Sequence, residues 1–314
     1  MIRIATRGSR LALWQANHVR TWLLEQDPAL VVELLVLSTA GDRTLDRPLA
    51  ELGGKGLFVK EIEEALLDRR AEIAVHSMKD LPAQLPDSLT LAAVPERADP
   101  RDALLVRPGL SIDRIADLPS RARVGTSSLR RVCQLRAVRP DLDVIPLRGN
   151  VDSRLEKLAR GEFDAIVLAS AGLHRLGFSQ RITRILDVAE SLPAIGQGAL
   201  AIETRADDSA TRTRLAPLHH SPTAIATTAE RAFLARLDGS CRTPMAAHAT
   251  LDGARLKLAG LVGRPDGTQL LQSQLEGDNR DAAALGTQLA EALLARGAEE
   301  ILRSCHAATP IGGP

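Results

Sequence analysis

The chain has 314 residues, 45% of them hydrophobic and 25% charged, with a net charge of +1; at about 150 residues per domain this is a globular chain of two or three domains. No apolar run reaches the ~18 residues of a membrane span, and the start Met1-Ile2-Arg3-Ile4-Ala5-Thr6-Arg7 has no signal-peptide core, so a cytoplasmic protein with no membrane partner is expected. Four Phe, two Trp and no Tyr at near-neutral charge argue against a nucleic-acid binder that stacks bases on aromatic rings.

In chain order, Ile2–Ala5 reads as a short strand and Thr6-Arg7-Gly8-Ser9 as a turn with cap residues. Leu11, Leu13, Trp14, Val19, Trp22 and Leu23 line an amphipathic helix that Pro28 ends. Val31–Leu37 is an apolar strand. Residues 41–56, with Gly53-Gly54-Lys55-Gly56, form a loop that can act as a lid. A helix carrying Val59, Ile62, Leu66 and Leu67 leads into the strand 72–76, followed by Ser77-Met78-Lys79-Asp80.

The same order then recurs. Arg123-Val124-Gly125 is a strand, Thr126-Ser127-Ser128 a capping turn, 129–138 a helix ended by Pro140, and 143–147 a strand. A helix with Val151, Leu155 and Leu158 runs into the strand 164–169. The alternation predicts two α/β domains with mostly parallel sheets. Residues 95–102 are polar and turn-rich and suit a hinge between them. Residues 198–203 read as a strand returning to the first domain's sheet.

The texture changes near Ser221. A helix over 224–237 precedes three strands, 245–251, 255–264 and 269–276, joined by Asp252-Gly253 and Pro265-Asp266-Gly267 as antiparallel hairpins. A helix with Leu285, Leu289 and Leu293 stops at Gly297, and the tail after Cys305 frays. The division expected is 1–97 with 196–216, then 98–195, then 217–314. The fold class is α/β, with a small C-terminal α+β domain.

Open α/β sheets bind ligands at the carboxyl ends of strands, beside helix N-termini. Two such places combine hydroxyls, backbone N–H groups and guanidiniums: 6–10 (Thr-Arg-Gly-Ser-Arg) and 126–131 (Thr-Ser-Ser-Leu-Arg-Arg). Arg148-Gly149-Asn150, Arg154 and Arg175 add cations at comparable positions. Only five of the 40 basic side chains are lysines; the other 35 are arginines. Genome composition explains most of that skew, but an arginine fork also recognises a carboxylate or phosphate where lysine does not substitute. If the two halves face each other, a cleft lined by arginine takes a small polyanion. The bland reading makes the Ser and Thr residues simple helix caps.

Asp80 reads either as the ion-pair partner of Lys79 or as a carboxylate that meets a substrate N–H or a developing cation. Cys241 sits in the loop Asp238-Gly239-Ser240-Cys241, either incidental or a nucleophile or attachment point. Cys133 and Cys305 read as structural or incidental, and three cysteines so widely spaced make neither a disulfide framework nor a zinc site. His219-His220 lack ligand spacing, so no metal is expected. Neither a Rossmann fingerprint nor a P-loop is present. Two classes fit these residues: a non-catalytic polyanion binder with two lobes, and an enzyme acting on a carboxylate-rich molecule.

A set of motifs resolves the choice. They are IATRGSRLALWQA (4–16), GGKGLFVKEIEEALL (53–67), AVHSMKDLP (74–82), ERADPRDA (96–103), VGTSSLRR (124–131), LRGNV (147–151), AGLHRLG (171–177), PAIGQGALAIE (193–203) and AERAFLARLDGSCRTP (229–244). Across nearly its whole length the chain resembles the porphobilinogen deaminase family. The resemblance implies two hinged domains like those of periplasmic binding proteins, a third small domain, and a monomer. It implies an enzyme that joins four porphobilinogen molecules head to tail with loss of ammonia and releases hydroxymethylbilane. The implied cofactor is a dipyrromethane held by a thioether to Cys241, and the implied catalytic aspartate is Asp80. Lys79, Thr126, Ser127, Ser128, Arg130, Arg131, Arg148 and Gly149, with Asp80, match cofactor-binding positions. Arg7, Ser9, Lys55, Phe58, Arg148, Arg154 and Arg175 match substrate-binding positions. Many members carry Gly-Gly-Cys where this chain has Gly239-Ser240-Cys241.

Overall fold

The structure, a computed structural model, describes residues 1–39, 59–239 and 243–307, residues 306 and 307 by their backbone alone. Two compact units divide the chain: Met1–Ala98 with Gly198–Ile225, and Asp99–Gln197 with Ala226–Pro314.

The first unit opens with strand β1 (Ile2–Arg7), helix α1 (Arg10–Gln26) and strand β2 (Val32–Leu37). Ser9 caps α1, its Oγ accepting from the Ala12 N–H at 3.3 Å. Then come α2 (Lys60–Leu67), β3 (Ile73–Ser77), a single 3-10 turn (Met78–Asp80) and β4 (Leu89–Ala93). In the second unit follow β5 (Asp102–Val106), β6 (Arg123–Gly125), α3 (Leu129–Val138), β7 (Asp143–Ile145), α4 (Val151–Ala159), β8 (Ala165–Ala169), α5 (Ser170–Arg175) and β9 (Arg184–Ile185). The chain returns as β10 (Leu200–Arg205), α6 (Ser209–Leu215) and α7 (Ser221–Arg236). It ends with β11 (Met245–Asp252), β12 (Arg255–Gly263), β13 (Leu270–Asp278), α8 (Ala282–Leu294) and α9 (Ala298–Ala307).

The two α/β sheets are built alike. Their orders are β2-β1-β3-β10-β4 and β7-β6-β8-β5-β9. In each, the first two pairings are parallel and the last two antiparallel. The repeat read from the sequence is therefore a repeat of topology. The expectation of mostly parallel sheets is corrected: half the pairings are antiparallel. The cause is connectivity, because β10 and β5 each enter their sheet from chain that has just left the other unit, not through a βαβ crossover. The returning strand itself is found as expected, as β10 beside β3.

Side-chain alternation divides each sheet into two buried faces. In the first unit Ile2, Ile4, Ile73 and Val75 pack with Ala16, Val19 and Leu23 of α1. Ala5 and Ala74 on the opposite face pack with Ile62, Ala65 and Leu66 of α2. The three-stranded sheet β11-β12-β13 forms by the two predicted hairpins, in an unbroken register. Leu285, Leu289 and Leu293 of α8 are buried, as their spacing predicts. Sequence reading missed β4, β5, α5, β9, α6 and α9.

Candidate active site

In the first unit, β1 and β3 run parallel, so Arg7 and Ser77 end the two strands on one edge. The turn after β3 is fixed by its first residue. Met78 is buried among Val59, Leu81, Val94 and Ala199, and its N–H donates to the Ala199 carbonyl at 3.0 Å. Lys79 is left half-buried and Asp80 exposed. Asp80 makes no hydrogen bond or ion pair among the described residues, so the simple Lys79 ion pair does not form. Asp80 instead shares a recess of about 60 Å³ with Arg7, Ser9, Gln15, His76 and Ser77. Gln15 is buried and its Nε2 donates to Ser77 Oγ at 2.8 Å. Below the recess, His76 Nε2 meets Glu203 Oε2 at 2.9 Å, and Glu203 is fully buried. Burial and the Glu203 charge push the carboxyl of Glu63, on α2, up to about 7, while His76 acts the other way. A cation, a hydroxyl and an unpartnered carboxylate thus line one recess. Lys55 and Phe58 lie outside the described residues.

In the second unit, β7, β6 and β8 are parallel neighbours, so the segments that follow them share the carboxyl edge. After β6, the Thr126 Oγ1 accepts from the Ser128 N–H at 3.2 Å and Ser127 Oγ donates to the Leu147 carbonyl at 2.9 Å. These hydroxyls shape the turn, and Ser127 remains exposed. After β7 comes Arg148, whose Nη1 is buried without a hydrogen-bond partner. Gly149 has φ +114°, and a Cβ there would lie 2.3 Å from Ser153 Oγ, so only glycine fits. Its carbonyl accepts from Arg154 Nε at 2.8 Å, and the Asn150 side chain caps α4 through the Ser153 N–H. Arg175 ends α5, half-buried, and burial holds its pKa down to about 10. It remains a cation at neutral pH.

Arg130 and Arg131 face inward. Both are buried, and both grip Asp102, itself 0% exposed, at 2.7 Å. The Ser191 hydroxyl and Gln197 Nε2 donate to the same carboxylate at 2.8 and 2.9 Å. Burial pushes the Asp102 carboxyl up; the two guanidiniums outweigh it and hold the group well below the usual carboxylate range. Arg130 keeps one buried N–H, at Nε, without a partner. Sequence reading placed Asp102 in a hinge segment and missed this role. The available signal was an acid opening the otherwise apolar run Asp102-Ala103-Leu104-Leu105-Val106.

A ligand bearing several carboxylates fits the second unit's edge. Arg148 and Arg130 each have a buried N–H with no acceptor among the described residues, and Arg154 and Arg175 add cations in the segments after β7 and β8. Among the described residues, no cluster of three His, Cys, Asp or Glu side chains is arranged to hold a metal, and no helix is long and apolar enough to cross a membrane. Cys241 lies outside the described residues. Cys133 is fully buried, and burial pushes its thiol up to about 12, as befits an inert core cysteine.

Residues 2–213 match the dipyromethane cofactor binding domain of porphobilinogen deaminase, and residues 224–295 match the C-terminal domain of the same enzyme. The chain belongs to the porphobilinogen deaminase family. It is a transferase of tetrapyrrole biosynthesis that condenses four porphobilinogen molecules with loss of ammonia and releases hydroxymethylbilane, and its cofactor is a dipyrromethane. The fold combines two five-stranded α/β sheets of like topology with a small three-stranded α+β region.

Solved structures with some likeness include the VFT2 domain of Bordetella pertussis BvgS (17% identity, 68% of this chain and 84% of that one, TM-score 0.41). Another is the Escherichia coli periplasmic aliphatic sulphonate binding protein SsuA (13% identity, 100% and 94%, TM-score 0.43). At these values the likeness carries no argument about ligands.

Proposed function

We propose that Asp80 is the catalytic group of this deaminase. One observation carries the assignment: Asp80 stands exposed, without a partner among the described residues, in a recess it shares with Arg7 and Ser9. A carboxylate there accepts pyrrole N–H bonds and stabilises the positive charge left on the substrate when ammonia departs. Arg7 and Ser9 bind substrate carboxylates, with Lys55, Phe58, Arg148, Arg154 and Arg175 as the further substrate-binding residues.

The dipyrromethane, when bound, supplies the pyrrole to which the first substrate is joined. Cys241 holds it through a thioether. Arg148 and Arg130 meet its carboxylates with the N–H groups left without partners, and Gly149 lets the backbone approach. Lys79, Thr126, Ser127, Ser128 and Arg131 complete its surroundings, Arg131 acting mainly by sharing Asp102 with Arg130. The working division has three domains, 1–97 with 196–216, 98–195 and 217–314, supported by three separate sheets. The enzyme is a cytoplasmic monomer, taking porphobilinogen and neither nucleic acid nor a membrane as partner.

Asp80→Ala tests the central assignment. The expected product is a folded protein that carries its cofactor and turns over at least ~10²-fold more slowly, the scale of one lost electrostatic group. Near-normal turnover would remove Asp80 from the mechanism.

A further inference from the structure

His76 lies in the Asp80 recess but has no part in the reading above. It is the fourth residue of β3, on the sheet face that packs against α2. Across the antiparallel pair, Ala201 stands opposite His76 and Glu203 opposite Ala74. Glu203 is thus the diagonal neighbour of His76 on the same face, and their side chains meet at 2.9 Å through His76 Nε2.

With the Glu203 carboxylate as acceptor in this contact, the imidazole proton sits on Nε2. The lone pair is then on Nδ1, which makes no hydrogen bond among the described residues. A base held by a buried carboxylate, on a residue that lines a recess, is a constellation suited to accepting a proton.

The reaction releases such a proton. In each joining step the C–N bond of the substrate's aminomethyl group breaks and ammonia leaves with the electron pair. The α-carbon of the acceptor pyrrole then supplies the pair for the new C–C bond. The α-C–H bond breaks, its electrons restore the aromatic ring, and a proton must be taken up. We propose that His76 Nδ1 takes up this proton, with Glu203 fixing the imidazole tautomer, and passes it to the departed ammonia or to water.

The charged and titratable groups around the imidazole are Glu203 from β10, Glu63 from α2, and Arg7 and Asp80 at the recess. Glu63 keeps its proton to about pH 7, so the two carboxylates do not both add charge beside His76 in weakly acidic solution. This assignment rests on the reading of the Asp80 recess as the reaction site.

The test uses the cofactor-loaded enzyme and porphobilinogen deuterated at its free α-carbon. For His76→Gln, a folded variant, kcat should fall ~10²- to 10⁴-fold, the usual share of a general base, with KM little changed. Proton removal should then limit the rate, so a primary deuterium isotope effect should appear that the wild type lacks. A kcat within about threefold of wild type, or a loss without an isotope effect, overturns the proposal. A second readout needs no variant and no turnover. Nitrogen NMR of the wild-type imidazole should show the proton on Nε2 and a bare Nδ1, and a proton on Nδ1 overturns the proposal even if the variant fails to fold. Asp80→Asn, run alongside, separates the two claims. Normal turnover there removes the Asp80 reading, whereas the isotope effect and the tautomer report on His76 alone.

Discussion

Replacing Asp102 by asparagine would remove one negative charge from a site closed to bulk solvent. The carboxylate is 0% exposed, and its two guanidinium partners, Arg130 and Arg131, are 3% and 7% exposed. Both arginines donate to it twice, and Ser191 and Gln197 once each. An asparagine amide offers one oxygen; its NH₂ would point at donors, and two buried cations would lose their counter-charge. Breaking a buried pair by removing one partner costs ~3–5 kcal/mol. At ~2–4 °C per kcal/mol for a unit of this size, the melting transition should drop by ~6–20 °C. Scanning calorimetry would measure it. The gap between wild type and variant should hold from pH 8 down to about pH 4. The depressed carboxyl gives a contribution that is complete above the ordinary carboxylate pKa of 3.8 and fades only below it. A drop under ~2 °C would refute the reasoning, since a cluster that tolerates the loss of its anion is not holding two buried cations.

Two further predictions address single features. Folded Glu63 keeps its proton to about 7, whereas an unfolded glutamate releases it near 4.5, so stability should decline as pH rises between those values. Glu63→Gln should flatten the decline in the urea midpoint between pH 5 and 8, and parallel profiles for the two proteins would contradict the assignment. Gly149→Ala should cost ~1–3 kcal/mol, because alanine rarely adopts φ +114° and its Cβ would strike Ser153. An unchanged denaturation midpoint would show that the turn has another conformation open to it.

Much of the fold is legible in the sequence because it rests on local periodicity. Helix α3 occupies residues 129–138 as predicted, and the hairpins of β11–β13 follow from Asp252-Gly253 and Pro265-Asp266-Gly267. The strand β5 was missed because it enters its sheet antiparallel after a chain crossing, and β4 because its partner among the described residues is the returning strand β10; neither arrangement leaves a periodic mark. The site divides the same way. Arg7, Ser9, Asp80 and Arg148 are legible because each stands at a strand end beside turn residues. The partners Asp102 and Glu203 were not, since they come from segments 28 and 127 residues away from the side chains they grip. Such pairings depend on sheet order, and sheet order here depends on where the chain crosses.

The measurement that bears most directly on the central claim is the intact mass of the denatured protein after exposure to porphobilinogen. A dipyrromethane bound through Cys241 should survive denaturation and add the mass of two porphobilinogen units less two ammonia, and Cys241→Ser should show the bare chain. A wild-type mass equal to the bare chain, or the same adduct on Cys241→Ser, would contradict the account.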